Sequence, residues 1–138
     1  MGDPQNLKLI VDVYKAWDSQ NYEYLADYFA DSTEFDLPGA TRLVTTNKDI
    51  AARLHKWRTQ FGKTSNIPFS LISLSNKDRD HDWVIAWTWN KWEEKNGRKD
   101  SMLYCDNWRI QNGKIVYLNS LEQRPSRQLT KTLNSIPK

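Results

Sequence analysis

The sequence predicts an α+β fold in which helices pack on one face of a curved antiparallel β-sheet. Two observations carry this. Residues 83 to 123 contain three runs rich in aromatic and β-branched residues, separated by Asn96-Gly97 and Asn112-Gly113. Asn-Gly between such runs is the strongest short-range hairpin signal, because both central residues of a type I′ turn need positive φ. Ahead of them, apolar residues recur at helical spacing in three groups: Ile10, Val13, Tyr14, Trp17; Tyr22, Leu25, Tyr28, Phe29; and Ile50, Leu54, Trp57, Phe61.

In chain order, the first helix spans 5–18 and is broken by Ser19-Gln20-Asn21. A second, shorter helix ends near Ala30 or Asp31 and makes a hairpin with the first. The alternating run Thr33 to Leu37 is a short strand stopped by Pro38-Gly39, with Phe35 and Leu37 on one face and Glu34 and Asp36 on the other. A third helix begins near Thr46 or Asn47, carries Asp49 in its first turn, and stops at Gly62. His55 lies off its apolar stripe. Ile67 to Leu74 form a strand that pairs with the Trp83 run. The intervening Asn76 to Asp82 has three alternating Asp residues but lacks the Gly and Glu of an EF-hand, and is a solvated loop. Residues 1–123 thus make one domain, and 124–138 a flexible tail.

Two-residue turns at both Asn-Gly pairs would fix the register. Lys95 would face Arg98 and Gln111 would face Lys114, giving three rows on one face: Ile85/Trp108/Tyr117, Trp87/Asp106/Asn119 and Trp89/Tyr104/Leu121. Asp106 then sits at the centre of an aromatic patch turned toward the helices. The opposite face is smaller and mixed, and carries Trp92 near the hairpin tip, which suits contact with a second subunit and hence a homodimer through the outer sheet face.

At 138 residues the chain can bury a core without disulfide or metal, and its single Cys105, inside a strand, reads as a small buried hydrophobe. No apolar run approaches the ~20 residues of a membrane span. Met1-Gly2-Asp3 is an ordinary start with no basic-then-apolar leader, which favours a cytoplasmic location, or export if a signal sequence has been removed. The net charge of +3 comes from scattered Lys and Arg that do not interleave with aromatics along a stripe, so nucleic-acid binding is not expected. Neither Cys/His metal spacing nor a phosphate-binding glycine loop is present, so no metal and no cofactor are expected.

Desolvation disfavours a carboxylate, so Asp106 among aromatic rings should have a raised pKa. Its bland role is a core hydrogen bond; its functional role is to orient a ligand. Trp17, Trp87, Trp89, Tyr104, Trp108 and Asn119 are the ligand-binding residues expected beside it, with the tryptophans divided between core and pocket wall. Trp57 reads as core.

The order of elements resembles the NTF2-like (SnoaL-like) α+β cone fold, as do two local phrases: the segment AWDSQNYEYLADYFADSTEFD and the ending Asp106-Asn107-Trp108-Arg109-Ile110-Gln111-Asn112-Gly113. The resemblance covers about residues 5 to 122 and implies three N-terminal helices packed on the sheet. Around Asp106 the chain is similar to the ketosteroid isomerases, in which a neutral aspartic acid donates to an oxyanion. That resemblance places Asp106 in the acid's position. It puts the general base one residue from Asp36 and the oxyanion tyrosine at Val13, next to Tyr14.

Three functions follow as expectations. The first is a domain binding an apolar or aromatic small molecule around Asp106. The second is a cofactor-independent isomerase, cyclase, dehydratase or hydrolase with Asp106, Asp36 and Tyr14 as catalytic residues. The third is a protein-interaction module using the outer sheet face, as resemblance to nuclear transport factor 2 permits.

Overall fold

The computed structural model of the chain describes residues 1–22, 24–39, 41–76, 78–123 and 134–135. The first helix, α1 (Pro4–Ser19), starts where the Asp3 carboxylate accepts from the Gln5 amide at 2.8 Å, with Pro4 preset for the first turn. It ends at Gln20, in the left-handed conformation at φ 58°. Its inner stripe buries Ile10, Val13 and Tyr14. A single 3₁₀ turn, Leu25–Tyr28, follows.

This turn stands where a second helix was expected. The Tyr22, Leu25, Tyr28 spacing also fits a three-residue turn, and the next residue, Phe29, is already extended and paired with Ile115. Among the described residues, two α-helices rather than three therefore reach the sheet from the N-terminal half.

Strand β1 (Phe29–Leu37) turns through Gly39, at φ 84°, into β2 (Thr41–Thr46), which the sequence did not announce. Helix α2 (Asn47–Arg58) is capped by the Thr46 hydroxyl, which accepts from the Asp49 amide. It stops before the expected Gly62 because Phe61 already pairs with Glu94. The remaining strands are β3 (Phe61–Asn76), β4 (His81–Glu94), β5 (Lys99–Gln111) and β6 (Lys114–Glu122).

Among the described residues the strands form one sheet in the order β2-β1-β6-β5-β4-β3. It is mixed rather than wholly antiparallel, since β1 runs parallel to β6. Pro68 is tolerated because β3 is an edge strand and a register shift lies between Pro68 and Ser70. The flexible tail expected over 124–138 lies outside the described residues apart from 134 and 135.

The register of the first hairpin differs from expectation by one residue. The Glu94 amide bonds the Arg98 carbonyl at 2.8 Å and the Gly97 amide bonds the Glu94 carbonyl at 2.9 Å, enclosing the three-residue loop Lys95-Asn96-Gly97. Only Gly97 has positive φ; Asn96 spends its side-chain oxygen on the Arg98 amide instead. This is a turn followed by a glycine in the left-handed region, not a type I′ pair. The second hairpin is the expected two-residue turn, with Asn112 at φ 51° and Gly113 at φ 70°. A shift between Arg109 and Ile110 then leaves Val116 as an extra residue in β6.

The true rows on the helix-facing side are therefore Val84/Trp108/Leu118, Ala86/Asp106/Ser120 and Thr88/Tyr104/Glu122. Ile85, Trp87 and Trp89 turn to the outer face with Asn119 and Leu121. A one-residue slip moves every side chain of a strand to the other side. Val84, Ala86 and Thr88, each fully buried, form the compact floor on which α1 lies.

Candidate functional site

A cavity of about 340 Å³ lies between the helices and the inner sheet face. Trp17 from α1, Trp57 from α2, Phe61 at the start of β3, Trp92 from β4 and Trp108 from β5 contribute its aromatic walls. Phe61 and Trp92 meet edge to face, with ring centroids 6.3 Å apart. A size of this order sits at the small end of ordinary ligand pockets.

Asp106 borders this cavity while only 6% exposed. The Tyr14 hydroxyl donates to its Oδ2 at 2.6 Å, and the Ser120 hydroxyl donates to its Oδ1 at 2.5 Å. The Tyr14 oxygen in turn accepts from the Trp108 indole N–H and the Thr88 hydroxyl, each at 3.3 Å. Burial pushes the Asp106 pKa above the ordinary carboxylate range, while the Ser120 and Tyr14 donors act against that rise. Burial, followed by the neighbouring Asp106 charge, holds the Tyr14 phenol well above its ordinary value.

Tyr14, Trp17, Tyr104, Asp106 and Trp108 are thus brought together around one cavity. Trp87, Trp89 and Asn119 are not: the hairpin loop and the β6 bulge place them on the outer face, where Asn119 pairs with Asn107. Asp36 is also turned away, because Phe35 and Leu37 face inward. Its carboxylate accepts from the Tyr117 hydroxyl at 2.6 Å and lies 3.9 Å from Arg42. Tyr117 belongs to an outer group in which the Arg109 guanidinium lies 5.2 Å from its ring centroid. Cys105, expected to be buried, is half-buried on that same outer face.

The sequence reading missed Ser120, Phe61 and Trp92 as cavity residues and took Trp57 for core. The compact, uncharged Val84, Ala86 and Thr88 were the available signal, since the alternate positions of β4 run on into Lys91 and Glu93. Such a face does not suit burial beneath a helix.

A larger groove of about 630 Å³ runs beside the N-terminal turn of α1. Its walls are mostly charged or amide side chains, including Asp3, Lys8, Asp12, Arg79 and Asp82. Among the described residues no cluster of three His, Cys, Asp or Glu could hold a metal ion, and no helix is long and apolar enough to cross a membrane.

The model of the SnoaL-like domain matches residues 10–118, and the chain belongs to that family, within the NTF2-like superfamily. Solved structures agree in fold. An NTF2-like family protein from Streptomyces avermitilis superposes with a TM-score of 0.74 at 10% identity, covering 88% of this chain and 95% of that one. An LEH-like epoxide hydrolase from M. tuberculosis gives 0.69 at 9% identity, covering 84% and 80%. A protein with a ketosteroid isomerase-like fold from Catenulispora acidiphila, solved with trimethylamine, gives 0.67 at 13% identity, covering 82% and 83%. At these identities they establish the fold alone. No curated protein matches the sequence.

Proposed function

We propose that this chain binds an apolar or aromatic small molecule in the cavity, with Asp106 as the polar anchor held in place by Tyr14 and Ser120. The observation that carries this reading is a buried carboxylate, fixed by two hydroxyls, on the wall of a largely apolar, aromatic-rich cavity. Trp17, Trp57, Trp92 and Trp108 all border the space, so a ligand should change their fluorescence. Adding 2-naphthol is expected to give a saturable change, and Leu54→Trp, which fills the cavity from α2, should abolish it. An unchanged response in that variant would place the binding elsewhere.

A second reading is proton transfer by Asp106 in an isomerase, cyclase, dehydratase or hydrolase, favoured by its raised pKa beside a cavity. Asp36 cannot serve as its partner from the outer face, so such chemistry would rest on Asp106 and Tyr14.

The partner proposed for the outer face is a second copy of this chain. Ile67, Ile72, Leu74, Trp89 and Leu121 are 43–54% exposed there, and neither α1 nor α2 covers them. Lys91 and Glu93 share that face with Trp89, giving the opposite charges that a two-fold, self-complementary contact can pair. Light scattering after size-exclusion chromatography should report a dimer for the native chain and a monomer for Trp89→Asp. A monomeric native chain would remove this contact.

A further inference from the structure

We infer that the cavity selects an organic cation, an ammonium group carried on an apolar body, over a neutral molecule of the same shape. This rests on the ligand-binding reading above and names the class of ligand. The direction of the hydrogen bonds around Asp106 favours a cation. An indole N–H can only donate, so the Trp108 contact fixes the Tyr14 oxygen as an acceptor. The one phenolic proton then goes to the nearer partner, Asp106 at 2.6 Å, rather than to Thr88 at 3.3 Å. Ser120 delivers a second proton to the other carboxylate oxygen. The whole chain of donors therefore ends on Asp106 as an acceptor, the arrangement that suits the ionised form. An oxyanion hole needs the opposite polarity, with donors left over for the ligand.

Nearby positive charge favours a buried carboxylate, and among the described residues no Lys, Arg or His forms an ion pair with Asp106. Among the described residues the ion pairs are Lys8 with Asp12, Arg42 with Glu34 and Asp36, and Arg98 with Glu94 and Asp100. None involves Asp106. The buried Arg58 is committed to the carbonyls of Trp17, Asp18, Phe61 and Gly62. Lys91 borders the cavity from a strand position that faces outward, and forms no ion pair with the acid. A ligand that brings its own cation offsets the cost of burying the charge. The indole walls add a second attraction, since aromatic faces hold quaternary ammonium groups that hydrogen bonding cannot.

The test compares phenyltrimethylammonium with its uncharged carbon isostere, tert-butylbenzene, on the unmodified protein, by tryptophan fluorescence and native mass spectrometry. The cation is expected to bind at least about tenfold more tightly. Asp106→Asn should remove that preference while keeping the isostere bound, because the amide can still accept from Tyr14 and donate to Ser120. Equal binding of the two probes by the unmodified protein would overturn the cation class and leave the ligand-binding reading standing. Binding of neither would overturn both. The comparison on the unmodified chain decides the matter even if the variant fails to fold.

Discussion

Tyr14→Phe is expected to cost about 3 kcal/mol of stability, because one lost oxygen strands three buried partners: Asp106 Oδ2, the Trp108 indole N–H and the Thr88 hydroxyl. The ring itself stays, so its edge-to-face contact with Trp108 at 5.9 Å is kept and the cost isolates the hydroxyl. The loss should also depend on pH. Burial raises the Asp106 pKa, so its contribution is most favourable in acid, where folded and unfolded chains both carry the proton. As pH rises past the ordinary aspartate value the unfolded chain ionises first, and stability falls until the raised folded pKa is passed. Removing the Tyr14 donor raises that pKa further and extends the window, so the variant should lose more near neutrality than in acid. Urea unfolding across that range measures both effects, and a small, pH-independent loss would contradict them.

Arg58→Met should be as damaging, at about 3–5 kcal/mol, although the residue touches nothing reactive. Arg58 is 2% exposed, and its guanidinium donates to the carbonyls of Trp17 at 3.2 Å, Phe61 at 3.3 Å, Gly62 at 2.7 Å and Asp18 at 3.4 Å. Helix α1 has no basic residue in its own last turn, so this side chain from α2 supplies the positive charge that its C-terminal end favours. Methionine keeps the stem and leaves those carbonyls without their donors. Since Trp17 and Phe61 both border the cavity, the same change should weaken ligand binding along with thermal stability. Loss of less than about 1 kcal/mol would show that water replaces the guanidinium at little cost.

Both residues show where the sequence could be read and where it could not. Tyr14 and Trp17 were legible because helical spacing puts them on the stripe with Ile10, and Asp106 because it is a lone acid among aromatics. Arg58 was illegible: its partners are carbonyls, which leave no mark in a sequence. The hairpin at Asn96-Gly97 failed for a local reason. The Asn96 side chain accepts from the Arg98 amide just before β5, Asn96 keeps negative φ, and the loop takes a third residue. That one residue exchanged Trp87 and Trp89 for Ala86 and Thr88 beneath the helices, and brought Trp92 to the cavity. Asp106 stayed inside because it lies beyond the loop, where α1 and Tyr14 meet it directly. On β6 the bulge at Val116 made the matching exchange, Ser120 for Asn119. Bulges depend on strand twist and on packing against β1, and neither is written in the alternation of residues.

Ligand binding here depends on Asp106 being a buried carboxyl group on the cavity wall. Carbon-13 NMR titration of its side-chain carboxyl, with and without phenyltrimethylammonium, tests this directly. The expected result is a midpoint above the ordinary aspartate range that falls when the cation fills the cavity, because a nearby positive charge favours the ionised form. A midpoint within the ordinary range that does not move while the cation is bound would contradict it.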